Sequence, residues 1–92
     1  MERVALVTGG ARGIGLGISG ALAREGYALA VCGTRSAEAA APQLETLQKC
    51  GGEVCYIQAD VSQAVDRSRL LEKVHARFGA LHVLVNNAGV AP

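Results

Sequence analysis

The stretch TGGARGIGLG (residues 8–17) holds five glycines and directly follows the apolar run VALV (residues 4–7). So much backbone freedom after a strand-like run fits a tight strand-to-helix corner. Glycine takes up φ values there that a Cβ forbids, and it lets another group approach the main chain closely. The segment that follows, residues 14–26, places Ile14, Ile18, Ala21, Leu22 and Ala23 at helical spacing, and Gly26 supplies a stop. A strand, a glycine corner and a helix open a βαβ unit, and this opening constrains what the remaining residues can build.

The remaining residues continue the alternation. Strands are expected at RVALV (3–7), ALAVCG (28–33), EVCYIQAD (53–60) and LHVLV (81–85), with helices over 14–26, 36–50 and 62–79. Pro42 lacks an N–H, so the second helix is expected to begin near it, after a short turn. The third helix reads as N-capped by Ser62, with Val65, Leu70, Leu71, Val74 and Phe78 as its apolar stripe. Four strands separated by helices imply a parallel sheet covered on both faces, and the apolar strands suit burial on both sides. Right-handed crossovers then give the N-terminal half of a doubly wound Rossmann α/β fold, with strand order 3-2-1-4. The 92 residues read as one domain with no linker or repeat.

Composition excludes several functions. The net charge of +1 gives no basic patch for nucleic acid, and no apolar run approaches the ~20 residues of a membrane helix. The start MERVALV lacks the apolar core of a signal peptide, so a cytoplasmic protein is expected. Cys32, Cys50 and Cys55 read as reduced thiols, and the spacing of the last two is not that of a zinc site; no metal is expected. His75 and His82 read as structural or solvent-facing.

In a doubly wound sheet, ligands bind beyond the carboxyl ends of the strands, where strand order reverses. Here that point lies between strands 1 and 4. The glycine corner sits there, and the helix after it aims free N–H groups and partial positive charge at the same place, which suits a pyrophosphate. Gly15, Gly17 and Gly20 match G-x-G-x-x-G in text only, since they fall inside the helix. The glycines at the corner are Gly9, Gly13 and Gly15. A glycine corner alone could be no more than a tight turn, but two further stretches reach the same edge. NNAG (86–89) ends strand 4, its asparagine amides able to fix neighbouring strands and ligand, with Ala88 and Gly89 leaving room for a flat ring or ribose. Asp60 and Val61 end strand 3, and Asp60 reads equally as an adenine acceptor or a turn aspartate.

TGGARGIG, DV and NNAG, in this order and spacing, resemble the short-chain dehydrogenase/reductase family across all 92 residues. The resemblance implies a dinucleotide-binding domain holding a nicotinamide coenzyme across the strand ends. Gly9, Arg12, Gly13, Ile14 and Gly15 match the family's phosphate loop, and Asp60 and Val61 its adenine contacts. Asn87, Ala88 and Gly89 match the segment beside the adenosine ribose and nicotinamide half. At the end of strand 2, in CGTRS (32–36), Gly33 stands where NAD-preferring members carry aspartate. Thr34, Arg35 and Arg12 can instead bond a 2′-phosphate, so NADP(H) is expected over NAD(H). The run VALVTGGARGIG is similar to that of 3-oxoacyl-(acyl-carrier-protein) reductases, which points to a 3-oxoacyl thioester as carbonyl substrate.

The family's catalytic serine and Tyr-x-x-x-Lys find no match. Tyr27 is followed four residues on by Val31, and Tyr56 by Asp60, so no catalytic residue is assigned. The domain therefore reads as incomplete at its C-terminus, with strand 4 as an open edge. It is not expected to turn over a carbonyl or alcohol unaided, and homo-oligomerisation belongs to a full-length form. The alternative is a non-catalytic half-Rossmann module that binds a nucleotide or docks onto a partner through strand 4.

Overall fold

The computed structural model describes residues 2–87. Ala88 and Gly89, expected beside the ligand, lie outside the described residues. The order is β1 (Val4–Thr8), α1 (Gly13–Arg24), β2 (Ala28–Gly33), α2 (Ala37–Lys49), β3 (Val54–Gln58), α3 (Ala64–Phe78) and β4 (Val83–Asn86). All strand pairs are parallel and the sheet runs β3-β2-β1-β4. Val7, for example, is flanked by Val31 on one side and Val85 on the other.

Alternation along β1 and β2 sorts the core into two halves. Val4 and Leu6, with Ala28, Ala30 and Cys32, face α3 and pack with its Leu70 and Val74. Ala5 and Val7, with Leu29 and Val31, face the other way, toward Leu22 and Ala23 of α1 and Leu47 of α2. Successive side chains of a strand point to opposite faces, so two strands buried on both faces must be apolar throughout. The chain steps outward from β1 to β3 and then returns past β1 to lay down β4. Crossovers of one hand then put α1 and α2 on one face and α3 on the other. The expected doubly wound architecture is the observed one.

The helices depart from expectation in three places. First, α1 does not bury an Ile14–Ala21 stripe: Ile14 is 79% exposed and Ala21 is exposed, while Gly15, Ser19, Gly20 and Ala23 are buried. Ile18, Leu22 and Ala23 of the expected stripe do pack into the core, and at Gly15 the helix lies so close to the glycine corner that no Cβ fits. Second, α2 begins at Ala37, not near Pro42, because the Ser36 hydroxyl accepts from the Ala39 N–H at 3.2 Å and caps the helix upstream. Third, Ser62 does not cap α3; its N–H and hydroxyl are drawn to Asp60, and Gln63 becomes the residue before the first turn. Val65 (75% exposed) and Leu71 (50%) stay outside the core, so α3 buries a narrower stripe than its sequence suggests.

Candidate functional site

The corner after β1 is built by backbone geometry. Gly9 has φ +65°, in the region that favours glycine, and its N–H donates to the Cys32 carbonyl at 2.8 Å. The ladder between β1 and β2 thus continues one residue into the loop before the chain turns. Arg12 is extended (φ −158°) and precedes the first residue of α1, Gly13. The N–H groups of the first turn have no carbonyl within the helix to bond. No acidic side chain stands in that turn to neutralise the positive end of the helix dipole.

Packing beneath the corner holds it in shape. A Cβ on Gly15 would stand 2.0 Å from the Gly9 carbonyl oxygen and 2.6 Å from Asn87 Nδ2. Two residues that the sequence reading passed over also fix the loop. The buried Ser19 hydroxyl donates to the Gly10 carbonyl at 3.0 Å. A Cβ on Gly10 would meet Ser19 Oγ and Val31 Cγ1, both at 2.8 Å. The signal for Ser19 was present, a lone hydroxyl on the face of α1 that turns toward the loop.

β4 is tied to the same corner. The Asn87 N–H donates to Thr8 Oγ1 at 2.9 Å, and Asn87 Nδ2 donates to the Gly9 carbonyl at 3.4 Å. Asn87 therefore braces the glycine loop from the β4 side.

A cleft of about 310 Å³ opens over the carboxyl ends of β1, β2 and β3. It is lined on one side by Gly9, Ala11 and Arg12 and on the other by Cys32, Gly33, Thr34, Arg35 and Tyr56. Ala59, Asp60, Val61 and Ser62 close the far end. Of the expected site residues, Gly9, Arg12, Thr34, Arg35, Asp60 and Val61 meet at this cleft. Gly13, Ile14, Gly15 and Asn87 lie at the glycine corner, and Ile14 stands free in solvent. The cleft lies on the β2–β3 side of β1, one strand across from the β1–β4 switch point.

Two of the charged groups around the cleft, Arg35 and Asp60, have definite partners. The Arg35 guanidinium donates to the Ala11 carbonyl at 3.1 Å, reaching across the cleft to the glycine loop. Asp60 Oδ1 accepts from the Ser62 hydroxyl at 2.6 Å and the Ser62 N–H at 3.0 Å. These bonds, the hydroxyl's first, hold the Asp60 carboxyl below its ordinary pKa. One carboxylate oxygen thus makes the turn that the sequence allowed for. Burial pushes the Cys32 thiol up, against a smaller opposing pull from a backbone hydrogen bond at Gly9.

The residues fit a dinucleotide. A bare backbone corner and an uncompensated helix N-terminus suit a pyrophosphate. The cleft beside them, bordered by Arg12, Arg35 and Asp60, suits a nucleoside.

Comparison with known proteins agrees with this geometry. The model of the short chain dehydrogenase family matches residues 3–92. The chain is 46% identical over 88 residues to an uncharacterised oxidoreductase of Methylorubrum extorquens, covering 96% of this chain and 36% of that protein. It is 40% identical over 90 residues to the short-chain dehydrogenase/reductase homolog YusS of Bacillus subtilis, covering 98% of this chain and 83% of that protein. Among solved structures, the 3-oxoacyl-[acyl-carrier protein] reductase of Brucella melitensis in complex with NAD superposes with a TM-score of 0.88 at 42% identity. That match covers 97% of this chain and 34% of the other. The F189W actinorhodin polyketide ketoreductase with NADPH gives 0.87 at 40% identity, covering 96% and 33%. The chain thus spans about a third of the length of most of these proteins.

Proposed function

This chain belongs to the short chain dehydrogenase family, and from that premise we propose that residues 1–92 form the coenzyme-binding domain of an NADP(H)-dependent short-chain oxidoreductase. The carrying observation is the cleft beside the glycine corner, where β2 ends at Gly33 and Thr34 and Arg35 follow, with no carboxylate among the three. An acid there would repel a 2′-phosphate, whereas a threonine hydroxyl and a guanidinium can bond one. Gly9, Gly13 and Gly15 shape the pyrophosphate seat, with Arg12 and Ile14 at its rim. Asp60 and Val61 border the adenine, and Asn87 lies toward the ribose and nicotinamide, a segment that the family pattern continues through Ala88 and Gly89.

The bound reduced coenzyme supplies a hydride for a carbonyl carbon. A 3-oxoacyl thioester is the proposed substrate, supported by the similarity to a 3-oxoacyl-[acyl-carrier protein] reductase. The chain's own share of that reaction is to bind and orient. Neither tyrosine carries a lysine four residues on, and acid catalysis contributes roughly 10²–10⁴ in rate. Turnover in this reading needs a serine and a Tyr-x-x-x-Lys that these 92 residues do not supply.

A second reading is favoured by one observation, the relative from B. subtilis of which the chain spans 83%. In this reading a half-length chain acts as a nucleotide-binding or partner-docking module without catalysis. An immunoblot of the native protein separates the two, since the module would migrate near 9.4 kDa.

Titration with NADPH and NADH, followed by the fluorescence of the reduced nicotinamide, tests the coenzyme assignment. NADPH is expected to bind more tightly. Arg35→Ala should weaken NADPH on the order of tenfold and leave NADH within about twofold, as for loss of one charge-assisted bond. A dissociation constant for NADPH no lower than that for NADH would overturn the assignment.

A further inference from the structure

Resting on the coenzyme reading above, we propose that Tyr56 is a positioning residue that sets coenzyme preference. Its side chain holds the β2–α2 turn so that Arg35 faces the 2′ side of the adenosine ribose, and it occupies the space a side chain at residue 33 would need.

Three observations converge on this residue. Tyr56 pairs with Val31 in the sheet, so its ring points to the same face as Gly33, two residues further along β2. The ring leans over that glycine: a Cβ at residue 33 would stand 3.1 Å from Tyr56 Oη, with Cε1 and Cζ at 3.8 and 3.9 Å. The hydroxyl goes beyond the glycine and donates to the Arg35 backbone carbonyl at 2.6 Å. One side chain thus fills the volume beside Gly33 and anchors the residue that carries the charge. From that anchored backbone the guanidinium spans the cleft to Ala11. Burial raises the Tyr56 pKa and the nearby Arg35 charge opposes the rise, so the phenol stays protonated and donates.

The consequence for recognition is steric and electrostatic together. An acidic side chain at residue 33, which would bond a free 2′-hydroxyl, would press its Cβ against the Tyr56 hydroxyl at 3.1 Å and disturb the bond to Arg35. A cation delivered from residue 35 takes its place, and it favours a 2′-phosphate over a 2′-hydroxyl. Tyr56 touches neither phosphate nor ribose in this scheme; with glycine at residue 33 its effect on binding runs through Arg35.

The test is a set of fluorescence titrations with NADPH and NADH on the 92-residue chain and its variants. Tyr56→Phe keeps the ring and removes the hydroxyl. It should weaken NADPH roughly fivefold, as for one neutral hydrogen bond, and leave NADH within about twofold. In an Arg35→Ala background the same change should alter neither constant, because the charge it positions is gone. Gly33→Ala crowds the hydroxyl from the other side and should shift the preference in the same direction. In the Tyr56→Phe background Gly33→Ala should have no further effect. Circular dichroism melts establish that each variant folds, and Gly33→Ala carries the test if Tyr56→Phe does not. Equal weakening of both nucleotides would make Tyr56 merely structural and overturn the inference, as would an effect that persists without Arg35. A wild-type chain that prefers NADPH, with variants that leave its ratio unchanged, defeats this inference alone. A wild-type chain that binds neither nucleotide, or both equally, defeats the coenzyme assignment and the inference with it.

Discussion

A methyl group at residue 15 would stand 2.0 Å from a backbone carbonyl, and backbone at a sheet edge cannot yield as a side-chain tip can. Gly15→Ala is therefore expected to cost about 2–4 kcal/mol, an overpacking penalty with no relaxed alternative. Urea denaturation reads it, and nucleotide affinity should fall with it because the glycine corner must move. Asp60 makes a separate prediction at this scale. Its folded pKa lies below the ordinary value of 3.8 because Ser62 bonds the charged form. A depressed carboxyl contributes stability that is whole above its unfolded pKa and is lost as pH falls through the folded one. The contribution of Asp60 should thus disappear only below about pH 3.8, and Ser62→Ala should move its titration back up toward that value. Carbon-detected NMR titration of the Asp60 carboxyl checks this, and an unmoved midpoint in the variant would show that Ser62 is not the cause.

At the scale of elements, α2 is the helix whose sequence and structure disagree most. Pro42 sits inside it, where it gives up an N–H to the Glu38 carbonyl and crowds that turn. The helix forms through it because Ser36 starts it and because Ala40 and Leu47 are fully buried against the sheet. Pro42→Ala restores the missing bond at an exposed position. It should stabilise the chain by about 1–3 kcal/mol, visible as a higher midpoint in a circular dichroism melt. α1 shows a milder disagreement: Ile18, Leu22 and Ala23 of the expected stripe pack into the core, whereas Ile14 and Ala21 are exposed. Its fully buried residues, Gly15, Ser19, Gly20 and Ala23, are all small, and at Gly15 the close approach of the Gly9 carbonyl requires it. A pattern of apolar residues cannot announce that approach, because the constraint is distance from the glycine corner. Ile14 is then left in solvent at the mouth of the site.

Over the whole molecule, burial is lopsided. β1 and β2 are covered on both faces, while β4 alternates between half-buried and exposed. Leu84 on β4 is 57% exposed, and Leu71 and Leu81 near it are exposed as well, leaving an apolar surface beside a strand that, among the described residues, pairs only with β1. Such an edge promotes association between chains. Leu84→Lys is expected to suppress concentration-dependent association and to cost less than about 1 kcal/mol, since most of that side chain is already in water. Sedimentation velocity across a concentration series checks it; association unchanged by Leu84→Lys would place the sticky surface elsewhere.

The sequence by itself determined the order of elements, the parallel sheet and its strand order, and the glycine corner at the carboxyl edge. These follow from local rules: strand and helix periodicity, the steric freedom of glycine, and the single hand of βαβ crossovers. Tertiary structure decided which residues of α1 are fully buried, where α2 and α3 begin, and how Tyr56, Gly33, Arg35 and Ala11 come together at one cleft. Those outcomes depend on the distance between elements far apart in the chain. Tyr56 and Arg35 are 21 residues apart, and only the pairing of β2 with β3 brings a phenol to the carbonyl it bonds. Periodicity encodes a direction along one element, and it holds no information about what an adjacent strand will present there.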